Sequence, residues 1–221
     1  MEYKRLTLLC GHYGSGKTNV ALNMAFDIKN RGEAVAIADL DIVNPYFRTK
    51  DSAQELKDMG IELVCSEYAG TNVDIPAMPQ EMYSLTDDKT RKAVIDVGGD
   101  DRGALALGRL SPAIIEENNY ECLLVINKFR PLTPDAESTV EVMKEIETAG
   151  KLKFTGLVNN SNLGEETTAE DVLGSLNYAK EVSDITGLPV VCTSVKETLY
   201  DELKGKIENL FPLSLQRKII N

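Results

Sequence analysis

Seven short apolar runs punctuate the chain, at residues 5–10, 34–39, 61–65, 93–97, 121–127, 153–159 and 188–193. Several are rich in Val and Ile, and Gly, Asn or Asp often follows. Such runs predict short strands buried on both faces, as in a parallel sheet. Between them the polar and apolar positions change to a helical period. Over 17–31, Val20, Ala21, Met24, Ala25 and Ile28 fall on one face, and Gly32 can close the helix. Over 134–149 the pattern places Thr133 at the N-cap, Pro134 in the first turn and Val140, Met143 and Ile146 on the inner stripe, with Gly150 after the end. Over 168–185 a helix is expected to start at Thr168, with Asp171 three residues on, and to stop near Gly187 and Pro189. Strand–helix alternation of this kind implies right-handed crossovers and an α/β fold: a mostly parallel sheet with helices on both faces, in three layers.

The 221 residues are enough for one domain, 1–221, with a sizeable core. Residues 66–90, with Gly70, Pro76 and Pro79, read as an irregular surface excursion that could shape a pocket. Toward the C-terminus, Leu199, Leu203, Ile207, Leu210 and Phe211 recur at helical spacing, so 196–221 is expected to be a helix docked on the sheet, followed by a tail.

Composition narrows the function classes. Net charge is −11, and no cluster of Lys and Arg offers a surface for tracking phosphates, so nucleic acid is not an expected partner. No apolar run reaches the roughly 18 residues that span a bilayer, and the N-terminus lacks a signal-peptide pattern. The one basic-apolar end, Arg217-Lys218-Ile219-Ile220, is too short to predict stable membrane association. The expected location is the cytoplasm. Cys10, Cys65, Cys122 and Cys192 are far apart and each lies in or beside an apolar run, which predicts buried thiols rather than a metal site.

The chemistry is concentrated after the first strand. Gly11-His12-Tyr13-Gly14-Ser15-Gly16-Lys17-Thr18 matches G-x-x-x-x-G-K-[ST] in full, between an apolar strand and an amphipathic helix. A polyphosphate must be wrapped by backbone N–H groups, which glycines allow by close approach and positive φ. The helix N-terminus adds its dipole. Lys17 supplies a charge near the β and γ phosphates, and the Thr18 hydroxyl can ligate Mg²⁺. Two further strands end in acid, in Ala38-Asp39-Leu40-Asp41 and Ile95-Asp96-Val97-Gly98-Gly99. Ligands of open α/β sheets bind at such carboxyl ends. Asp96 is expected to hold a metal-bound water, Gly99 to bring a backbone N–H to a γ-phosphate, and Asp41 to position the attacking water. Asp39 is expected to cap or support its loop. Lys17, Asp41 and Asp96 are thus the expected catalytic set; Thr18, Asp41 and Asp96 are the expected metal set.

The loop GHYGSGKT, the segment DLDIVNPYFR and the segment DVGGDDRG together resemble the MinD/ParA/CobQ class of P-loop ATPases, which includes the nitrogenase iron protein. The similarity runs from about residue 5 to 195. The resemblance implies a P-loop NTPase fold, bound Mg-ATP near a dimer interface and ATP-dependent association of two subunits. By position, Asp41 resembles the switch I catalytic Asp and Asp96 the switch II Asp. Asn160 resembles the family's adenine-contacting Asn, with Asn159 as the neighbouring alternative. One departure is plain: the family's loop often carries an extra lysine where His12 stands here, and Tyr13 replaces a glycine. His12, Arg48 or Arg102 is a candidate to replace that lysine's charge.

Four functions follow from these readings, the fourth being a non-enzymatic nucleotide sensor that binds ATP tightly without turnover. The first is a Mg-dependent ATPase that dimerises with ATP and acts on a partner protein in regulation, assembly or cofactor maturation. The second is an ATP-dependent ligase of the cobyrinic acid diamide synthase or dethiobiotin synthetase type, acting on a small molecule. The third is a GTPase, because Asn127-Lys128-Phe129-Arg130 begins like the guanine-reading N-K-x-D. Arg130 argues against it, because an arginine has no acceptor for guanine.

Overall fold

The computed structural model describes residues 1–40, 50–65, 80–99 and 101–214. The strands among them, β1 (Leu6–Cys10), β2 (Val35–Asp39), β3 (Glu62–Cys65), β4 (Lys92–Asp96), β5 (Tyr120–Ile126), β6 (Gly156–Asn159), β7 (Val190–Lys196) and β8 (Leu210–Leu213), form one sheet in the order β3-β2-β4-β1-β5-β6-β7-β8. Every pairing is parallel. The connecting helices are α1 (Lys17–Asn30), α2 (Lys50–Asp58), α3 (Gln80–Asp87), α4 (Asp101–Glu117), α5 (Ala136–Gly150), α6 (Ala169–Gly174), α7 (Leu176–Thr186) and the short α8 (Tyr200–Leu203). The three-layer α/β arrangement expected from the alternation is what the chain adopts.

The apolar runs are buried on both faces because each face meets a helical layer. Leu9, Ile37 and Val94 pack with Val20, Met24 and Ile28 of α1. Leu8, Ala38, Ile95 and Leu124 pack on the other side with Leu107 and Leu110 of α4 and Val140 and Met143 of α5. Cys10, Cys122 and Cys192 are free and buried in these layers. A hydrogen bond with Cys10, together with burial, holds the Cys122 thiol well above the ordinary thiol range.

The structure corrects the sequence reading in four places. Thr133 does not cap α5: Asp135 does, accepting from Ser138 N at 2.9 Å, while the Thr133 hydroxyl donates to Asn127 O at 3.0 Å. The helix expected over 168–185 starts in a capping box of Thr168 and Asp171 as predicted, but breaks into α6 and α7 at Ser175. There the Ser175 hydroxyl bonds back to Val172 O at 2.7 Å and competes with the helical ladder. Within the expected excursion at 66–90, residues 80–87 are the regular helix α3, which buries Met82 and Leu85; residues 66–79 lie outside the described residues.

The fourth correction is the C-terminal segment, which is not a continuous helix. After α8, Gly205 at φ +85° and Asn209 at φ +54° turn the chain, and Leu210–Leu213 adds β8 beside β7. Leu203 and Ile207 still share a small core with Val172 and Val195. Helical spacing therefore identified the buried positions without the helix. Pro212 is tolerable because β8 is an edge strand.

Candidate nucleotide-binding site

β1 lies between β4 and β5, so the loop leaving its carboxyl end is flanked by the loops that leave both neighbours. Gly11, Gly14 and Gly16 take φ values of +151°, +78° and +89°, which lets the chain from 11 to 16 curl back before α1 begins at Lys17. The curl closes on a bond from Ser15 N to His12 O at 3.1 Å. Lys17 is buried and its Nζ donates to His12 O at 3.3 Å, spanning the mouth of the loop. Close packing fixes the loop from below. A Cβ on Gly11 would stand 2.5 Å from Val125 O, and one on Gly16 would stand 2.3 Å from Asn160 Nδ2.

On the β4 flank the Thr18 hydroxyl donates to Asp96 Oδ2 at 2.5 Å. Asp96 is 3% exposed, and its parallel partner across the β2–β4 pairing is Asp39, also buried. Two buried carboxylates in register, with a threonine hydroxyl beside one of them, make an all-oxygen set suited to Mg²⁺. Among the described residues no group of three or more His, Cys, Asp or Glu could hold a metal alone. A metal here would complete its shell from water and phosphate oxygens, as Mg²⁺ commonly does. Asp39, expected from sequence to cap or support its loop, thus lies beside Asp96 in the sheet. The signal was available, since Asp39 is the last residue of an apolar strand, as Asp96 is.

Gly99 lies against the loop itself. A Cβ there would be 2.7 Å from Tyr13 N and 2.9 Å from Lys17 Nζ. Only a glycine lets the β4 loop approach the phosphate loop so closely, next to the lysine expected at the terminal phosphates. Asp41 and Arg48 lie outside the described residues. Arg102 falls in the first turn of α4.

On the β5 and β6 flank four asparagines knit the surrounding loops together. Asn160 is 2% exposed. Its Nδ2 donates to Ser15 O at 2.6 Å, and its Oδ1 accepts from Ser194 Oγ at 2.6 Å. Asn159 donates to Ser175 Oγ at 2.9 Å, Asn127 accepts from Phe129 N at 3.0 Å, and Asn162 donates to Asn160 O at 2.7 Å. Asn160 therefore ties the phosphate loop to β7. Its amide makes one hydrogen bond at each end, which leaves one N–H and one oxygen lone pair for a further partner such as the base that the resemblance implies. His12 points one ring nitrogen at its own loop: Nδ1 lies 2.9 Å from Tyr13 O, and a carbonyl can only accept, so Nδ1 carries the hydrogen.

A family model for the CobQ/CobB/MinD/ParA nucleotide-binding domain matches residues 9–196. A comparison with curated proteins gives no match. Among solved structures, the signal recognition particle receptor FtsY from Elizabethkingia anophelis aligns with a TM-score of 0.56 and 19% identity over 91% of this chain and 62% of that one. The same receptor in complex with GDP aligns with a TM-score of 0.56 and 17% identity over 98% and 62%. FtsY from Thermotoga maritima aligns with a TM-score of 0.60 and 17% identity over 87% and 62%. These likenesses are of fold, and the chain spans about three fifths of each of those structures.

Proposed function

The chain belongs to the CobQ/CobB/MinD/ParA nucleotide-binding domain family of P-loop NTPases, and from that premise we propose that it is a Mg-dependent ATPase. In this reading the ATP-bound form pairs with a second copy and acts on a partner protein. The observation that carries it is the Thr18–Asp96 contact at 2.5 Å in a full phosphate loop, with Gly99 packed on the same loop. A magnesium ion held there would supply positive charge to offset the negative charge of the phosphates. Thr18 and Asp96 would hold it, with Asp39 beside them. Lys17 would neutralise the terminal phosphates, Gly99 N–H would report the γ-phosphate, and Asp41 would orient the attacking water. Adenine is preferred over guanine because Arg130 offers no acceptor where an N-K-x-D motif would place one. Cytoplasmic location is part of the proposal; among the described residues no helix is long and apolar enough to cross a membrane.

The test is nucleotide affinity and turnover with Lys17→Ala and Asp96→Asn, followed by size-exclusion chromatography with ATP, ADP and no nucleotide. Lys17→Ala should abolish ATP binding. Asp96→Asn should lower Mg-dependent hydrolysis by roughly a hundredfold or more. Unchanged affinity in Lys17→Ala refutes the assignment. A ligase is the second reading, favoured by the CobQ and CobB members that share the family description; ADP release stimulated by a small molecule, not by a protein, would select it. The fold likeness to a receptor solved with GDP favours guanine as a third reading. Direct competition between ATP and GTP decides that point.

A further inference from the structure

We propose that Arg130 is a phosphate-binding residue of this site, held by the loop after β5 against the inner phosphates of the nucleotide. The inference rests on the nucleotide-binding reading above and assigns a cation that the G-x-x-x-x-G-K-[ST] motif does not contain.

Three observations carry it. First, Arg130 lies along the crest of the phosphate loop. Its Nε, Cδ and Cζ stand 3.8, 3.9 and 4.0 Å from the point a Cβ on Gly14 would occupy. Gly14 is at φ +78° and has no side chain, so the guanidinium rests against bare backbone at the edge of the curl that would enclose phosphate. Second, this cation has no hydrogen-bond or ion-pair partner among the described residues, and its Nε is buried. A buried donor left unpaired is destabilising, and a bound anion beside it would remove that cost. Third, the backbone that carries Arg130 is fixed in advance. Arg130 N donates to Asn127 O at 3.2 Å and Thr133 N donates to Arg130 O at 3.1 Å. Asn127 is fully buried and holds the same turn through Phe129 N, and Pro131 restricts the next φ.

The position also says which phosphates are reached. Thr18, Asp96 and Gly99 crowd the β4 flank of the loop, and β5 lies on the opposite side of β1. The β4 flank meets Lys17 Nζ, the lysine expected at the terminal phosphate. Arg130 therefore approaches the part of the phosphate chain common to di- and triphosphates. A planar guanidinium with five donors suits that role better than a histidine whose Nδ1 is already turned onto its own loop.

The experiment is calorimetric titration of the full chain and its Arg130→Ala and Arg130→Lys variants with MgATP, MgADP and inorganic tripolyphosphate, each at two salt concentrations. Arg130→Ala should weaken all three ligands by about tenfold to hundredfold. ATP and ADP should be affected alike, with a shallower salt dependence than the parent. Arg130→Lys should recover part of the loss. The ligand-free melting temperature should not fall, because the side chain bonds to nothing among the described residues. Unchanged affinities overturn the inference. So does a loss confined to the nucleotides with tripolyphosphate unaffected, since Arg130 would then meet the base or ribose. A parent protein that binds none of the three ligands refutes the nucleotide-binding function itself, and that result is read without any variant.

Discussion

Replacing Asn160 with alanine separates two roles for this residue, support of the phosphate loop and recognition of the base. The side chain is 2% exposed and makes two hydrogen bonds of 2.6 Å, one to Ser15 O and one from Ser194 Oγ. Asn160→Ala leaves the Ser15 carbonyl without that donor. Ser194 keeps only its longer bond to Asn159 O at 3.3 Å. Leaving two buried polar groups under-satisfied costs about 2–4 kcal/mol. For a chain of this size that corresponds to a fall in Tm of roughly 5–15 °C. Because Ser15 sits in the loop, the ligand-free protein should lose stability, and affinity for tripolyphosphate should fall along with affinity for ATP. The assay is thermal unfolding without ligand, paired with titration of ATP and tripolyphosphate. An unchanged Tm with a loss confined to ATP would refute the loop-support argument and return Asn160 to the base.

Gly99→Ala should cripple turnover, since a Cβ would fall 2.7 Å from Tyr13 N, a backbone atom that cannot swing aside. Restoring an ordinary contact of 3.4 Å or more means a displacement approaching 1 Å, which at a reacting centre costs about a hundredfold, measurable as phosphate release, and wild-type turnover in this variant would show that the two loops do not need their close approach. Far from the loop, Arg5 and Glu117 form an ion pair with side chains 8% and 9% exposed, and Arg5 also donates to Leu85 O at 3.0 Å. The hydrogen bond from Arg5 holds the Glu117 carboxyl below its ordinary range. With a lowered folded-state value, its stabilisation is complete above the unfolded carboxylate range and is lost as pH falls through the lowered value. Glu117→Gln should therefore cost about 3 kcal/mol near neutrality, with a gap from the parent that closes in acid. Denaturant titrations at several pH values check this, and a gap constant with pH would contradict it.

The parts of this protein that were legible in one dimension are those whose physics is local. A phosphate loop is built by consecutive residues, so Gly11–Thr18 could be read directly, and its positive-φ glycines stand where the loop turns. The seven apolar runs became strands because a strand buried on both faces needs little more than its own side chains to declare itself. Local signals misled where two conformations share one pattern. The spacing of Leu199, Leu203 and Ile207 marks positions that face the small core, the first only partly buried, yet Gly205 follows the helix and the segment finishes as β8. Thr133 and Asp135 are both good caps, and only the pull of Asn127 O on the Thr133 hydroxyl decides between them.

The order of strands decided the rest. Asp39 and Asp96 are 57 residues apart and meet because β2 and β4 are neighbours in register. Asn160 reaches Ser15 across a separation of 145 residues. Arg130 reads in sequence as a failed guanine motif, and becomes a cation at the crest of the loop only because β5 flanks β1. The motif thus named the ligand class by itself, since a backbone cradle for phosphate needs only neighbouring residues. Which distant side chains stiffen that cradle and charge it depends on sheet order, which is a property of the packed chain.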